Sequence, residues 1–488
     1  MITNPNSAIQ RIKNHLSYKL GQELIKYNTG GGGVKPLLKN RLLAYFKKNP
    51  SLKILLKTPY TPLKNTLLQN LDFTLTHFDE ISSWLNSKEF KEKYEDINHP
   101  YPPLLNPDKL NDENYILNYE KIPANLAWEM NLPLPRVYDY ALFFNGASAH
   151  GTILAFFVKS FNLSFELISK ERQNLCLSKF YATNSKNAAV FFSWFAHYKK
   201  QDFKRIYLAS HLPFVILVRD PISRLKTMVN HGSYKRGTLD HTFHLNDDID
   251  KVLDRRRFYN NSLYPNVEET MPYLIRISRK FNFSYTSTAK LCEKQVHYID
   301  ANEINPNVVI ESMRKYAKFF GKNLDEKKLL NLENYLKEKK WGIFAFIIPL
   351  ILELGSIQIH LCLKNEKVEL KDYTKEFSNQ ELETLNIIAL KMSEEDFKAL
   401  KKDEKLFNAS QIYLNKFIEK LENLRKTYEK TYAKEEDVLA YLKTYKTEAL
   451  IFKKILDKEL IHIKANRPDI VASWKYYKEF EKMCEKFL

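Results

Sequence analysis

Two apolar runs end in sharp turns that lead straight into helices, and this pair of segments restricts the fold more than any other feature of the chain. The first runs Val137-Tyr-Asp-Tyr-Ala-Leu-Phe-Phe-Asn-Gly-Ala-Ser-Ala-His-Gly-Thr152, the second Val215-Ile-Leu-Val-Arg-Asp-Pro-Ile-Ser-Arg-Leu-Lys-Thr227. Each reads as a buried β-strand followed by a helix, so the expected class is α/β. A helix entered this way presents free N–H groups and the positive end of its dipole to anions, and a nucleotide phosphate is the natural guest.

In the first segment Gly146 and Gly151 are spaced as in a P-loop, but Thr152 stands where that motif has lysine. The small residues Gly146, Ala147, Ser148, Ala149 and Gly151 let the backbone curl around a phosphate, and Thr152 adds a hydroxyl at the helix start. The competing reading is a tight turn with no ligand. In the second segment Asp220 is a good N-cap and Pro221 a good first helical residue. Arg224 and Thr227 then share a helix face, and Arg219 at the strand end has a route to the same anion, its planar donors suiting phosphate. Here the competing reading is an Arg-Asp pair bracing the cap.

These segments resemble the sulfotransferase superfamily, whose members carry a P-loop-like 5′-phosphosulfate loop and a later 3′-phosphate site. That second site reads Arg-Asp/Asn-Pro with a Ser eight positions after the Arg. Here Arg219-Asp220-Pro221 is followed by Thr227 at that position. The approach Tyr207-Leu-Ala-Ser-His-Leu-Pro-Phe-Val-Ile-Leu-Val-Arg219 is similar to that of carbohydrate sulfotransferases. Val296 to Ile304 and Asn305 to Gly321 are similar to the strand and helix that close the family core. The resemblance covers residues 136–325 and implies a three-layer core around a central, mainly parallel sheet. The lysine that many sulfotransferases place in the first loop has no counterpart between Ala147 and Thr152.

A second resemblance starts at Asn4-Pro-Asn-Ser-Ala-Ile-Gln-Arg-Ile-Lys-Asn-His-Leu-Ser-Tyr-Lys-Leu-Gly-Gln-Glu-Leu-Ile-Lys26, similar to a leader in proteins of Gram-negative capsule and lipooligosaccharide loci. The chain resembles domain-of-unknown-function family 2972, in which capsule phosphoramidate transferases are placed. The resemblance implies a 3′-phosphonucleotide co-substrate, either 3′-phospho-cytidine diphosphoramidate or 3′-phosphoadenosine phosphosulfate. It also implies a polysaccharide or lipid-linked glycan acceptor, with no metal and no permanently bound cofactor. For the base that deprotonates a sugar hydroxyl we expect His150, His211 or His231, since imidazole titrates near neutral pH.

Charge divides the chain. Residues 1–70 hold twelve Lys or Arg against Glu23 alone, +11 of the total +18. Ile9, Ile12, Leu16, Leu20 and Leu24 fall at helical spacing, and Gly30 to Gly33 interrupt the pattern. Such a basic amphipathic arm either lies on an anionic inner-membrane face or packs on its own domain or a second copy of the chain. We expect an arm at 1–70, a connection at 71–135, the nucleotide-binding core at 136–325 and a helix-rich extension at 326–488, with a strand pair between Gly342 and Leu363. Four cysteines without metal-like spacing and the absence of an apolar leader after Met1 point to the cytoplasm. The run Gly342 to Leu352 is too short to cross a bilayer, which needs ~20 residues.

Two other functions compete. A glycosyltransferase would use paired acids for a metal, and Asp247-Asp248-Ile-Asp250 has that spacing, although it reads more simply as a solvated turn. A non-catalytic basic protein binding nucleic acid or membrane fits the charge, but no RNP, KH, helix-turn-helix or zinc-finger pattern accompanies it, so no nucleic-acid partner is expected.

Overall fold

The computed structural model describes residues 50–168, 177–181, 188–194, 200–231, 241–255, 262–278, 283–305, 307–331, 342–366 and 369–487. The expected amphipathic helix around Ile9 to Leu24 and the glycine break at 30–33 lie outside these residues. The described end of the arm is packed: in α1 (Thr61–Gln69) Leu63 and Leu67 are buried, as is Leu52 before it. Asn131 ties α1 to the next segment, donating to Thr66 Oγ1 at 2.9 Å and to the Pro102 carbonyl at 3.0 Å.

Five strands form a wholly parallel sheet in the order β2-β3-β1-β4-β6: β1 (Tyr138–Asn145), β2 (Ser164–Ile168), β3 (Ala188–Trp194), β4 (Phe214–Val218) and β6 (Val296–Asp300). The apolar runs seen in the sequence are its middle strands. Every residue of β4 is buried, as a strand covered on both faces requires. Side chains alternate between the two faces. Ala141, Phe143, Phe214 and Ile216 enter one core, while Tyr140, Leu142, Phe144, Val215 and Leu217 enter the other. Helices α2 (His150–Ser160) and α3 (Val309–Phe320) cover the second face with Ile153, Phe156, Phe157 and Met313. Helix α3 ends at Gly321, whose φ of 62° supplies the left-handed C-cap. The central β1 lies between β3 and β4, and the chain runs from β1 toward β2 on one side but from β4 toward β6 on the other. In open parallel sheets a ligand crevice forms at such a switch, outside the carboxyl ends of the strands.

The tail is rich in helix, but it holds more strand than the one expected pair. Residues 350–392 carry four strands of a second sheet, β7 (Leu350–Leu354), β8 (Ile357–Leu363), β9 (Lys371–Asp372) and β10 (Ile388–Met392), with β5 (Thr242–Phe243) completing the order β5-β7-β8-β10-β9. The β7–β8 hairpin is the expected strand pair, and its two-residue turn starts at Gly355 with φ 67°. The long helix α4 (Glu404–Thr431) packs Leu414, Phe417, Ile418 and Leu421 onto this sheet, with Phe243 stacked on Phe417 at 4.9 Å. Three further helices, α5 (Glu435–Thr444), α6 (Lys446–Glu459) and α7 (Lys475–Glu485), return to the first core. There Val438, Phe452, Trp474 and Phe480 join the face that holds Phe143 and Phe214.

Candidate functional site

Strands β1 and β4 pair side by side, Ala141 with Phe214 and Phe143 with Ile216. Their ends therefore bring the loop 145–149 next to Arg219-Asp220. The loop departs from expectation at its tightest points. The left-handed residues are Ala147 (φ 65°) and Ala149 (φ 60°), not the glycines. An alanine there is strained, by on the order of 1–2 kcal/mol. At Gly146 and Gly151 an added Cβ would meet nothing within 4 Å. The folded chain itself thus leaves open space beside both glycines. Helix α2 starts after Ala149 without a side-chain cap. Ser148 is fully buried, and its hydroxyl turns back to donate to the Asn145 carbonyl at 2.5 Å.

The two arginines brace this loop. Arg219 donates from Nη1 to the Ala147 carbonyl at 3.0 Å, and Arg224 from Nε to the Gly146 carbonyl at 3.0 Å. Arg224 is fully buried, with its guanidinium carbon 4.2 Å from the centre of the Phe283 ring and Nη1 at 3.3 Å from the Tyr285 hydroxyl. The expectation that Arg224 meets a phosphate directly therefore has no surface to act through. It positions the loop instead. Arg219 is half-buried at the strand end. Thr227 is half-buried as well, and its hydroxyl donates to the Ser223 carbonyl at 2.9 Å, one turn back. Thr152 is half-buried and Gly151 exposed at the start of α2.

Asp220 caps two helices at once. Its Oδ1 accepts from Ile222 N (2.9 Å) and Ser223 N (3.4 Å) at the start of the helix Pro221–Val229. Its Oδ2 accepts from Tyr476 N (3.0 Å) and Tyr477 N (3.1 Å) at the start of α7. Burial raises this carboxyl, against the pull of those four N–H groups. One strand over, Asp300 ends β6 opposite Val218 and accepts from Trp474 Nε1 at 2.9 Å. Burial, with Glu303 and Asp220 adding, pushes Asp300 up to about 6, while Trp474 and Asn302 pull it down. Two carboxyls with raised values at adjacent strand ends mark the same crevice. Sequence reasoning missed Asp300, Phe283, Tyr285 and Trp474. For Asp300 a signal existed in its position directly after an apolar strand.

Of the three expected histidines, His150 and His231 lie near each other and His211 lies apart. His150 opens α2 and stacks on Phe144, centroids 4.7 Å apart and planes within 4°. Burial, then the nearby His231, lowers its value, so the ring is neutral at pH 7 and can accept a proton. His231 is exposed just beyond the helix Pro221–Val229. His211 precedes β4, at the far end of the sheet. The five residues of β4 place it roughly 17 Å from the loop at ~3.3 Å per residue, out of reach of a reaction there.

Each acid of the Asp-x-Asp stretch has a local partner. Asp248 caps the short helix Ile249–Asp254, Asp247 accepts from His244 N at 3.0 Å, and Asp250 pairs with Lys420 at 2.8 Å. Among the described residues no cluster of three or more His, Cys, Asp or Glu is arranged to hold a metal, and no helix is long and apolar enough to cross a membrane.

No curated protein and no solved structure matches the chain. A family described as proteins of unknown function (DUF2972) matches residues 298–487, a segment that begins inside β6 and leaves out both the loop at 146–152 and Arg219 to Thr227. The resemblance to that family expected from the sequence is present in this part of the chain.

Proposed function

We propose that the protein transfers a phosphoramidate or sulfuryl group from a 3′-phosphonucleotide to a sugar hydroxyl of a cell-surface polysaccharide. The observation that carries this reading is the junction of the two motifs. An uncapped helix start, a loop with open space beside Gly146 and Gly151, and the half-buried Arg219 meet at the switch point of a parallel sheet. A sulfotransferase-like core is the finer reading of this sheet. In this reading the loop holds the 5′ diphosphate-like group. One of the five guanidinium donors of Arg219 rests on Ala147, and others reach the 3′-phosphate, with Thr227 turning its hydroxyl outward.

The acceptor oxygen forms a bond to the transferred phosphorus or sulfur in line with the departing oxygen. The bond to the nucleotide breaks, the nucleoside 3′,5′-bisphosphate leaves, and the hydroxyl proton passes to a base. His150, neutral and at the start of α2, is the base placed best for this. The loop without lysine leaves charge stabilisation to backbone N–H groups and Arg219.

Calorimetric titration with the 3′,5′-bisphosphates and 5′-monophosphates of adenosine and cytidine tests the reading. Arg219→Ala is expected to weaken a bisphosphate at least about tenfold more than the matching monophosphate, the scale of one charge-assisted contact. Equal losses, or a wild-type chain that binds none of the four, would overturn it.

A further inference from the structure

One turn beyond Arg219, the helix Pro221–Val229 presents two further polar side chains, Ser223 and Lys226. Positions 223, 226 and 227 are spaced by three and four residues, so both share a helix face with Thr227. An acid already sits there. Glu435, the first residue of α5, places its carboxylate 3.3 Å from Lys226 Nζ, the two side chains being 18% and 16% exposed. Burial opposes its charge, but Lys226 and then the Ser223 hydroxyl outweigh burial and hold the carboxyl below the ordinary glutamate range. It is therefore ionised at neutral pH. Of the acids that act on Arg219, Glu435 acts most strongly. A single carboxylate thus stands among Arg219, Ser223 and Lys226, the groups that an incoming anion would meet on this face. Tyr432 borders the pair, its ring centre 5.9 Å from Lys226 Nζ, and is itself exposed, so the face opens to solvent on that side.

The backbone that delivers Glu435 is fixed by other contacts. In the link between α4 and α5, buried Asn230 donates from Nδ2 to the Ala433 carbonyl at 2.8 Å, and the Ala433 N–H donates to Asn230 Oδ1 at 2.9 Å. Val438 and Leu442 anchor α5 in the core. Glu436 and Asp437 stay in its first turn to complement the helix dipole. The position of α5 therefore does not depend on the charge of Glu435.

We propose that Glu435 is a resident carboxylate of the 3′-phosphate subsite, displaced when the phosphate arrives. This role rests on the transfer reading and adds its regulation: the free protein fills the subsite with its own anion. A dianionic phosphate outcompetes one carboxylate, whereas a 3′-hydroxyl does not. Displacement also frees Lys226 to join Arg219 at the phosphate, a lysine that the loop at 146–152 does not supply. An internal competitor lowers apparent affinity by the fraction of the protein that it keeps closed.

Calorimetric titration of Glu435→Gln with the 3′,5′-bisphosphates and 5′-monophosphates of adenosine and cytidine, and with inorganic phosphate, tests this. The variant is expected to bind a bisphosphate about threefold to fivefold more tightly than the wild type, the scale of a part-screened ion pair, and the matching monophosphate equally. Loss of a merely structural pair would not tighten a ligand. Lys226→Met should weaken the bisphosphate, and thermal unfolding confirms that both variants fold. Unchanged or weaker bisphosphate binding by a folded Glu435→Gln chain overturns the proposal, as does wild-type affinity in Lys226→Met. Discrimination through Arg219 would then still leave the transfer reading standing. If the wild type binds no nucleotide, the transfer reading fails and inorganic phosphate decides. Tighter phosphate binding by Glu435→Gln keeps Glu435 as the occupant of an anion site, and equal or absent binding removes it.

Discussion

Arg219 and Arg224 show how residue-level context divides one motif into two roles. Five positions apart, both touch carbonyls of the same loop, yet only Arg219 keeps exposure. Arg224→Met keeps bulk against Phe283 and removes the donors to Gly146 and Tyr285. Two buried acceptors left unpaired should destabilise the chain by roughly 2–3 kcal/mol, partly offset by removal of a buried charge. Because the loop then loses its brace, 5′-monophosphate and 3′,5′-bisphosphate should weaken by similar factors, in contrast to Arg219→Ala. Urea unfolding and titration measure both, and a loss confined to the bisphosphate would return Arg224 to direct contact. Asp300 gives a pH signature. Its folded value of about 6 lies above the 3.8 of an ordinary aspartate, so the folded state binds the extra proton. The resulting penalty is fully present above about pH 6 and is relieved as pH falls toward the ordinary value. From pH 7 to pH 5 the wild type should gain roughly 1 kcal/mol relative to Asp300→Asn, which cannot titrate there. A constant difference between the two over that range would count against the raised value. Glu303, Asp220 and Arg219 face the group in both chains.

At the scale of elements, what could be read in advance was local. Asp220 as N-cap and Pro221 as first helical residue follow from side-chain chemistry within three residues, and the helix starts there. The apolar stripe Leu414 to Tyr428 is the buried face of α4, and Leu350 to Leu363 form the hairpin. The left-handed Ala147 and Ala149 could not be read, because glycine, not alanine, advertises that conformation. Nor could the second cap made by Asp220, whose partners lie 256 and 257 positions away. No local pattern encodes a contact of that separation. Asp220→Asn tests it. An asparagine can keep one oxygen for Ile222 and Ser223 but turns an N–H₂ toward Tyr476 and Tyr477. Losing a cap costs about 0.5–2 kcal/mol, and the repulsion at α7 should bring the loss to the upper part of that range. Proteolysis between residues 475 and 487 should quicken with it. Resistance equal to wild type would mean that α7 is held by Trp474 and its apolar face alone.

The whole molecule is organised around the closure of one core by both ends of the described chain. Leu52 and Leu63 near its start and Trp474 and Phe480 near its end pack into the cluster that holds Phe143 and Phe214. This arrangement revises where a separable arm can end. Nine of the twelve basic residues in 1–70, together with Glu23, fall within residues 1–49 and carry +8. Removing 1–49 keeps every core residue among the described ones, whereas a cut at residue 58 would delete the buried Leu52 and Leu56. We expect the chain lacking 1–49 to unfold at nearly the wild-type temperature and to titrate nucleotides unchanged. If the arm docks on anionic lipid, the full chain should co-sediment with phosphatidylglycerol vesicles at low salt and the shortened chain should not. Each exposed basic residue near such a surface contributes about 1 kcal/mol, and the attraction is screened over ~8 Å at physiological ionic strength. High salt should therefore release the full chain. A full chain that ignores vesicles at low salt, or a shortened chain that melts several degrees lower, would place the arm on the protein itself or on a second copy.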